Sequence, residues 1–136
     1  MTFATPRPLL QKLGFVPGRR SLILHLPSPL AAAFAQATDA TAMPPDWLIG
    51  FARDQATLAQ VAGTLIPAYP SGGHLWFAYP KISGGLPTDI TRDRGWAAVS
   101  GQGLLPVTQV ALDAIWSALR FRHRDEIKTL TRKTGI

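Results

Sequence analysis

Cysteine is absent from all 136 residues, which excludes a disulfide framework and any thiolate-held metal. Acid is scarce: eight Asp and Glu stand against fourteen Lys and Arg, a formal net charge of +6. Long hydrophobic runs are missing as well. The apolar stretches are broken by Pro, His or charge well short of a bilayer span, and no basic, apolar, small-residue leader pattern opens the chain. These absences predict a soluble, cytoplasmic protein with no membrane partner. No Ser-His-Asp order, no paired carboxylates and no phosphate-binding loop motif is present. His74 and His123 fall at strand ends without ligand spacing to each other or to carboxylates. No catalytic residue, no metal and no cofactor is therefore expected.

What remains is a core-forming chain. Hydrophobic residues make up 46%, enough for one α/β domain over residues 1–124, with a basic tail over 125–136. The positive charge gathers at the ends. Arg7, Lys12, Arg19 and Arg20 precede the first acid, Asp39. From Ser117 onward Arg120, Arg122, Arg124, Lys128, Arg132 and Lys133 face only Asp125 and Glu126. Basic ends meet phosphate in nucleic-acid proteins, and they are equally the solvated termini of soluble ones. No base-reading motif accompanies them. The tail is read as a helix from Asp125, with Ile127 and Leu130 as its apolar contacts.

Apolar periodicity places the elements. PRPLLQKLG reads as a short helix closed by Gly14, and VPGRR as a turn. SLILHL, Ser21 to Leu26, is apolar throughout, as a strand covered on both faces must be. PSPLAAAFAQA reads as a helix capped by Ser28, with Pro29 in its first turn. WLIGFA forms a second buried strand. Asp54 then caps a helix whose Leu58, Val61, Ala62 and Leu65 share one face, ended by Pro67 and Pro70. SGG turns into HLWFAYP, a third strand. A helix is predicted from Thr88 to about Gly101. LLPVTQVALD and WSALRFRHR then pair as antiparallel strands, joined near Asp113–Trp116, with Pro106 marking an edge. Alternating strands and helices closed by an antiparallel pair give a three-layer α/β fold with a mostly parallel sheet.

In open α/β sheets ligands gather beyond the carboxyl ends of the strands. That rule selects His25–Pro27, Phe51–Asp54 and Tyr79–Lys81. Lys81 follows a strand, Gly84 and Gly85 loosen the backbone, and Thr88 and Asp89 stand where the predicted helix begins. Two readings follow. An anion binds between the Lys81 amine and the helix amides, or Thr88 and Asp89 cap their own helix while Lys81 or Arg92 pairs with a neighbouring carboxylate. Capping needs no ligand, while paired glycines suit close approach by one. His25 also has two readings, a titrating ligand contact and a hydrogen-bonded core residue, the second being the commoner state of a lone strand histidine. Trp76, Trp96 and Trp116 fit core packing as well as an aromatic box.

KLGFVPGRRSLILHLP and LIPAYPSGGHLWFAYPK resemble segments of class I, Rossmann-like methyltransferases. SGGHLWFAYPKISGGLPTDITRD together with LDAIWSALRFRHR resembles the small bacterial DUF3052 family of unknown function. The likeness covers residues 12–124 and implies a truncated methyltransferase-like, Rossmann-like fold without an established activity. Such enzymes carry a glycine-rich turn after the first strand. Here that turn is HLPSPL, where Pro27 and Pro29 lack amide hydrogens and no glycine is present. Asp39 is the sole nearby candidate for the ribose-binding acid of that fold. The resemblance thus implies a noncatalytic domain that binds a small anionic ligand or a protein partner without the usual S-adenosylmethionine site. An active S-adenosylmethionine-dependent methyltransferase with an atypical pocket is the second expectation. A nonspecific nucleic-acid accessory role for the basic ends is the third.

Overall fold

The computed structural model describes residues 8–39, 41 and 43–126. Residues 124–126 are helical, and the rest of the predicted tail helix, with its Ile127 and Leu130 contacts, lies outside the described residues. Five strands form one sheet: β1 (Ser21–Leu24), β2 (Trp47–Phe51), β3 (His74–Pro80), β4 (Leu104–Ala111) and β5 (Trp116–His123). Their order is β1-β2-β3-β5-β4. β1, β2 and β3 pair parallel, and β5 pairs antiparallel with both β3 and β4. Four strands therefore run one way and β5 alone runs back. β1 and β4 are the edges, and Pro106 of β4 coincides with a shift in register between Pro106 and Thr108, as expected of a residue that cannot donate to a ladder.

Helices cover both faces, which gives the predicted three layers. Every residue of β2 is buried. Leu48 packs with Leu58, Val61, Ala62 and Leu65 of α3 (Gln55–Ala68). Trp47, Ile49 and Phe51 point the other way, into a cluster with Leu10 of α1 (Leu9–Lys12) and with Leu13, Phe15, Leu30 and Phe34. α3 runs through Pro67 to Ala68, because a proline in the last turn removes only one hydrogen bond before the helix would stop anyway.

Two predicted helices are corrected. After β1 the chain makes a single 3-10 turn, Ser28–Leu30, then turns again before a four-residue helix, α2 (Ala35–Thr38). Ser28 makes no cap. The predicted helix from Thr88 is reduced to α4 (Ala97–Ser100). Residues before it form a loop in which Thr91 bridges Arg94 and Gly95 takes a left-handed φ of 91°, a geometry that ends any helix there.

Candidate functional site

The carboxyl ends of β1 and β2 open into a cleft of about 490 Å³ lined by His25, Pro27, Phe51, Arg53, Asp54, Thr57 and Trp116. Each lining residue is placed by an element end. β1 stops one residue before His25, β2 delivers Phe51, α3 begins just after Asp54, and Trp116 opens β5. Phe51 and Trp116 meet edge to face at 5.4 Å, so the floor is a fixed aromatic corner.

His25 is exposed, which corrects the core reading, and its backbone has φ 60°. Histidine is among the few non-glycine residues found in the left-handed region, at a cost of about 1 kcal/mol or more. Strain of this kind concentrates at ligand-binding positions. Here it bends the chain directly from β1 into the Pro27 turn.

The start of α3 carries its own acceptors. The Asp54 carboxylate accepts the Thr57 amide at 2.8 Å, and that bond holds its pKa below the ordinary 3.8. Asp89 reaches across from its loop, accepting the Gln55 amide at 2.8 Å. Gln55 returns the contact, its Nε2 donating to the Asp89 carbonyl at 3.0 Å. Asp89 is therefore a capping residue, of a different helix from the one predicted. With both carboxylates in place, an anion at this end of α3 meets negative charge rather than bare amides.

The remaining residues of the expected anion site do not join the cleft. Lys81 Nζ donates to the Asp113 carbonyl at 2.6 Å, and its amide donates to Ile115 at 2.7 Å. Both bonds tie the end of β3 to the β4–β5 connection. A Cβ on Gly84 would lie 2.9 Å from the Ile115 carbonyl, so this glycine permits close packing with that same connection. Gly85 closes the turn at φ 83° with open space around it. Thr88 Oγ1 accepts the Ile90 amide at 3.1 Å. Of the six residues expected to bind a ligand, only His25 lines the cleft, and Asp89 contributes at its edge. Phe51, Arg53 and Asp54 lie in the second stretch that the strand-end rule selects. Only Trp116 needed the β5 pairing to be found.

Asp39, the candidate ribose acid, sits at the opposite end of the sheet, beside Phe15, Pro17, Gly18 and Gln36. Outside β1, among the described residues, only the isolated bridge between Ser21 and Thr41 extends the sheet, and no further strand among them brings an acid toward His25. Among the described residues no group of three His, Asp or Glu gathers to hold a metal. No helix among them is long and apolar enough to cross a membrane.

No family model and no curated relative matches this chain. Solved structures do. An O-methyltransferase family 2 protein from Planctomyces limnophilus superposes with a TM-score of 0.52 at 15% identity, over 83% of this chain and 44% of that one. N-methyltransferase NodS from Bradyrhizobium japonicum gives 0.46 at 16%, over 77% and 73%. The tRNA methyltransferase TrmK from B. subtilis gives 0.48 at 9%, over 90% and 69%. The fold is a truncated, methyltransferase-like Rossmann fold, and this chain spans less than half of the O-methyltransferase it resembles.

Proposed function

We propose that this chain is a noncatalytic binding domain whose ligand is a small anion with a flat apolar body, seated in the His25–Trp116 cleft. The carrying observation is the pairing of a fixed aromatic corner with Arg53, which is exposed and makes no ion pair among the described residues. A planar group stacks or edges against Phe51, Trp116 and Pro27, and its charged group reaches the exposed Arg53 guanidinium rather than the α3 amides, which Asp54 and Asp89 already occupy. No hydrogen bond orients the His25 ring among the described residues, so a general-base role has no positioning partner. His25 serves instead to shape the turn and to offer a polar edge.

The usual adenosyl-binding mode is disfavoured by the Pro27 and Pro29 turn and by the lack of a long helix after β1. A four-residue helix offers almost no dipole, and the Phe34, Ala35, Ala37 and Thr38 amides already donate to carbonyls of the preceding turns. An atypical S-adenosylmethionine site remains the competing reading, because the cleft lies at the strand ends where ligands of this fold class bind.

Calorimetric titration separates the two. Benzoate and adenosine monophosphate serve as flat anionic probes, and S-adenosylmethionine as the competitor. Anionic probes are expected to bind and to lose about tenfold in affinity in Arg53→Ala, as for one charge-assisted contact. The melting temperature of that variant should stay unchanged. Micromolar S-adenosylmethionine binding would overturn the proposal. His25→Gly gives a second check: it removes the left-handed strain and adds unfolded-state entropy, so stability should hold within about 1 kcal/mol. Ligand affinity should nevertheless drop. A large loss of stability in His25→Gly would show that the ring is structural.

A further inference from the structure

The reversed direction of β5 brings the two basic stretches of the chain to the same end of the sheet. Arg19 and Arg20 precede β1, and Arg120 and Arg122 lie near the end of β5. Arg120 sits opposite Trp76 on β3. Arg19 Nη1 lies 2.8 Å from His74 Nδ1 and also donates to the Gly14 carbonyl at 3.2 Å. Asp46 pairs with Arg19 and Arg20, each at 3.6 Å, and Glu126 pairs with Arg122 at 3.5 Å. Among the described residues Arg120 donates only to the Gly73 carbonyl, at 3.1 Å. Four guanidinium groups at this end of the sheet thus meet two carboxylates among the described residues. The Nε atoms of both Arg120 and Arg122 are buried without an acceptor among the described residues, although each side chain keeps partial exposure. Buried guanidinium hydrogens rarely go unmatched.

We propose that this cluster, formed by Arg19, Arg120 and Arg122 around His74, is a binding site for a doubly charged tetrahedral oxyanion, the phosphate group of a small molecule. It lies at the opposite end of the sheet from the His25 cleft and is independent of it. Guanidinium groups outnumber carboxylates around His74 among the described residues, and their planar forks match the oxygens of a dianion. Seating it requires a small turn of the Arg120 and Arg122 side chains to bring Nε–H outward.

His74 reports on the site. Burial first, then the charges of Arg120, Arg19 and Arg122, lower its pKa from 6.5 to about 4, while Asp46 opposes them. Without the oxyanion, the unfolded chain takes up a proton on His74 that the folded chain refuses. Stability therefore falls as pH drops from 6.5 toward 4 and levels below it. A bound dianion offsets the guanidinium field and raises the histidine pKa.

The test is an NMR titration of the His74 ring in the full chain, in sulfate and in chloride at matched ionic strength. Sulfate keeps its charge over this pH range. The expected result is an upward shift of the His74 midpoint in sulfate alone, lost in Arg120→Gln. Calorimetry with inorganic phosphate and with glycerol phosphate should show both binding, each about tenfold weaker in Arg120→Gln. If Arg120→Gln does not fold, Arg122→Gln carries the same expectation. Equal midpoints in sulfate and chloride overturn the proposal, and so does a sulfate shift that survives both substitutions. Retention of duplex RNA through Arg120, with no response to either phosphate probe, also overturns it in favour of a polyanion surface.

Discussion

Gly50→Val is expected to destabilise the fold by about 3 kcal/mol or more and to lower the melting temperature by roughly 10 °C or more. Valine is among the best strand formers and glycine among the worst, so local preference predicts the opposite sign. Packing reverses it. Gly50 lies in the central, fully buried β2, and a Cβ there would overlap Val61 Cγ1 and stand 2.9 Å from Leu65 Cδ1. Both neighbours belong to α3 and are fixed in the core, 1% and 0% exposed. The glycine is therefore a seat for the helix that delivers Asp54 and Thr57 to the cleft. Gly63 provides the contrast: it is exposed on the same helix, and a Cβ there meets nothing within 4 Å. Gly63→Ala should gain about 0.5–1 kcal/mol by propensity alone. Denaturant melts of the two variants check both signs. A Gly50→Val protein that unfolds like the parent would mean that α3 does not sit on β2 at this point.

How much of this was legible follows the range of the physics involved. β2, α3, β3 and the β4–β5 pair announce themselves through local pattern: WLIGF is apolar throughout, Leu58, Val61, Ala62 and Leu65 recur at helical spacing, and Pro106 marks an edge. The three-layer architecture follows from them. Thr88–Asp89 misled because an Asx or Thr before a polar run has the form of a cap, and Asp89 is one. The helix it caps begins at Gln55, thirty-four positions away, and no local rule names a distant client. Gly95 was the available warning, since a glycine seven residues into a predicted helix favours a break. The alanine-rich stretch after Pro29 failed for a related reason. Propensity favours a helix, but the space beside β1 is taken by Leu30 and Phe34 packing on Trp47, Ile49 and Phe51, and tertiary contact overrides propensity.

The site was legible in part for the same reason. Strand ends pointed to His25 and to Phe51–Asp54. Trp116 joins them only because β5 runs antiparallel beside β3, so that its first residue stands at the carboxyl end of its parallel neighbours. That single reversal also sends Arg120 and Arg122 to the other end, toward Arg19 and Arg20. One topological fact thus supplies the aromatic wall of the cleft and the charge at the opposite end. In the sequence Lys81 has two candidate roles, an anion contact and a pair with Asp89 or Asp93, both local. In the fold it ties β3 to the Asp113 turn, the contact that fixes where β5 starts and hence where Trp116 lies.

Trp47→Phe and Trp76→Phe together should cost more than the sum of their separate effects, by about 1–3 kcal/mol. Both indole N–H groups donate to one oxygen, the carbonyl of Leu13, each at 2.8 Å. Leu13 is fully buried at the end of α1, where helix carbonyls lose their intrahelical partners. Either tryptophan alone keeps that oxygen satisfied, so each single variant should lose only packing, on the order of 1–2 kcal/mol. Trp47 also meets Phe15 edge to face at 5.2 Å, a contact that phenylalanine partly preserves. Removing both donors leaves the carbonyl buried without a partner, and the desolvation cost then appears in full. A double-mutant cycle on unfolding free energy measures the excess. Strict additivity would mean that α1 is held by its leucines alone and that water or another donor serves the Leu13 carbonyl. An excess of the expected size would show that two tryptophans on neighbouring parallel strands hold α1 through one shared acceptor, fixing the layer against which Phe51 and Trp116 pack.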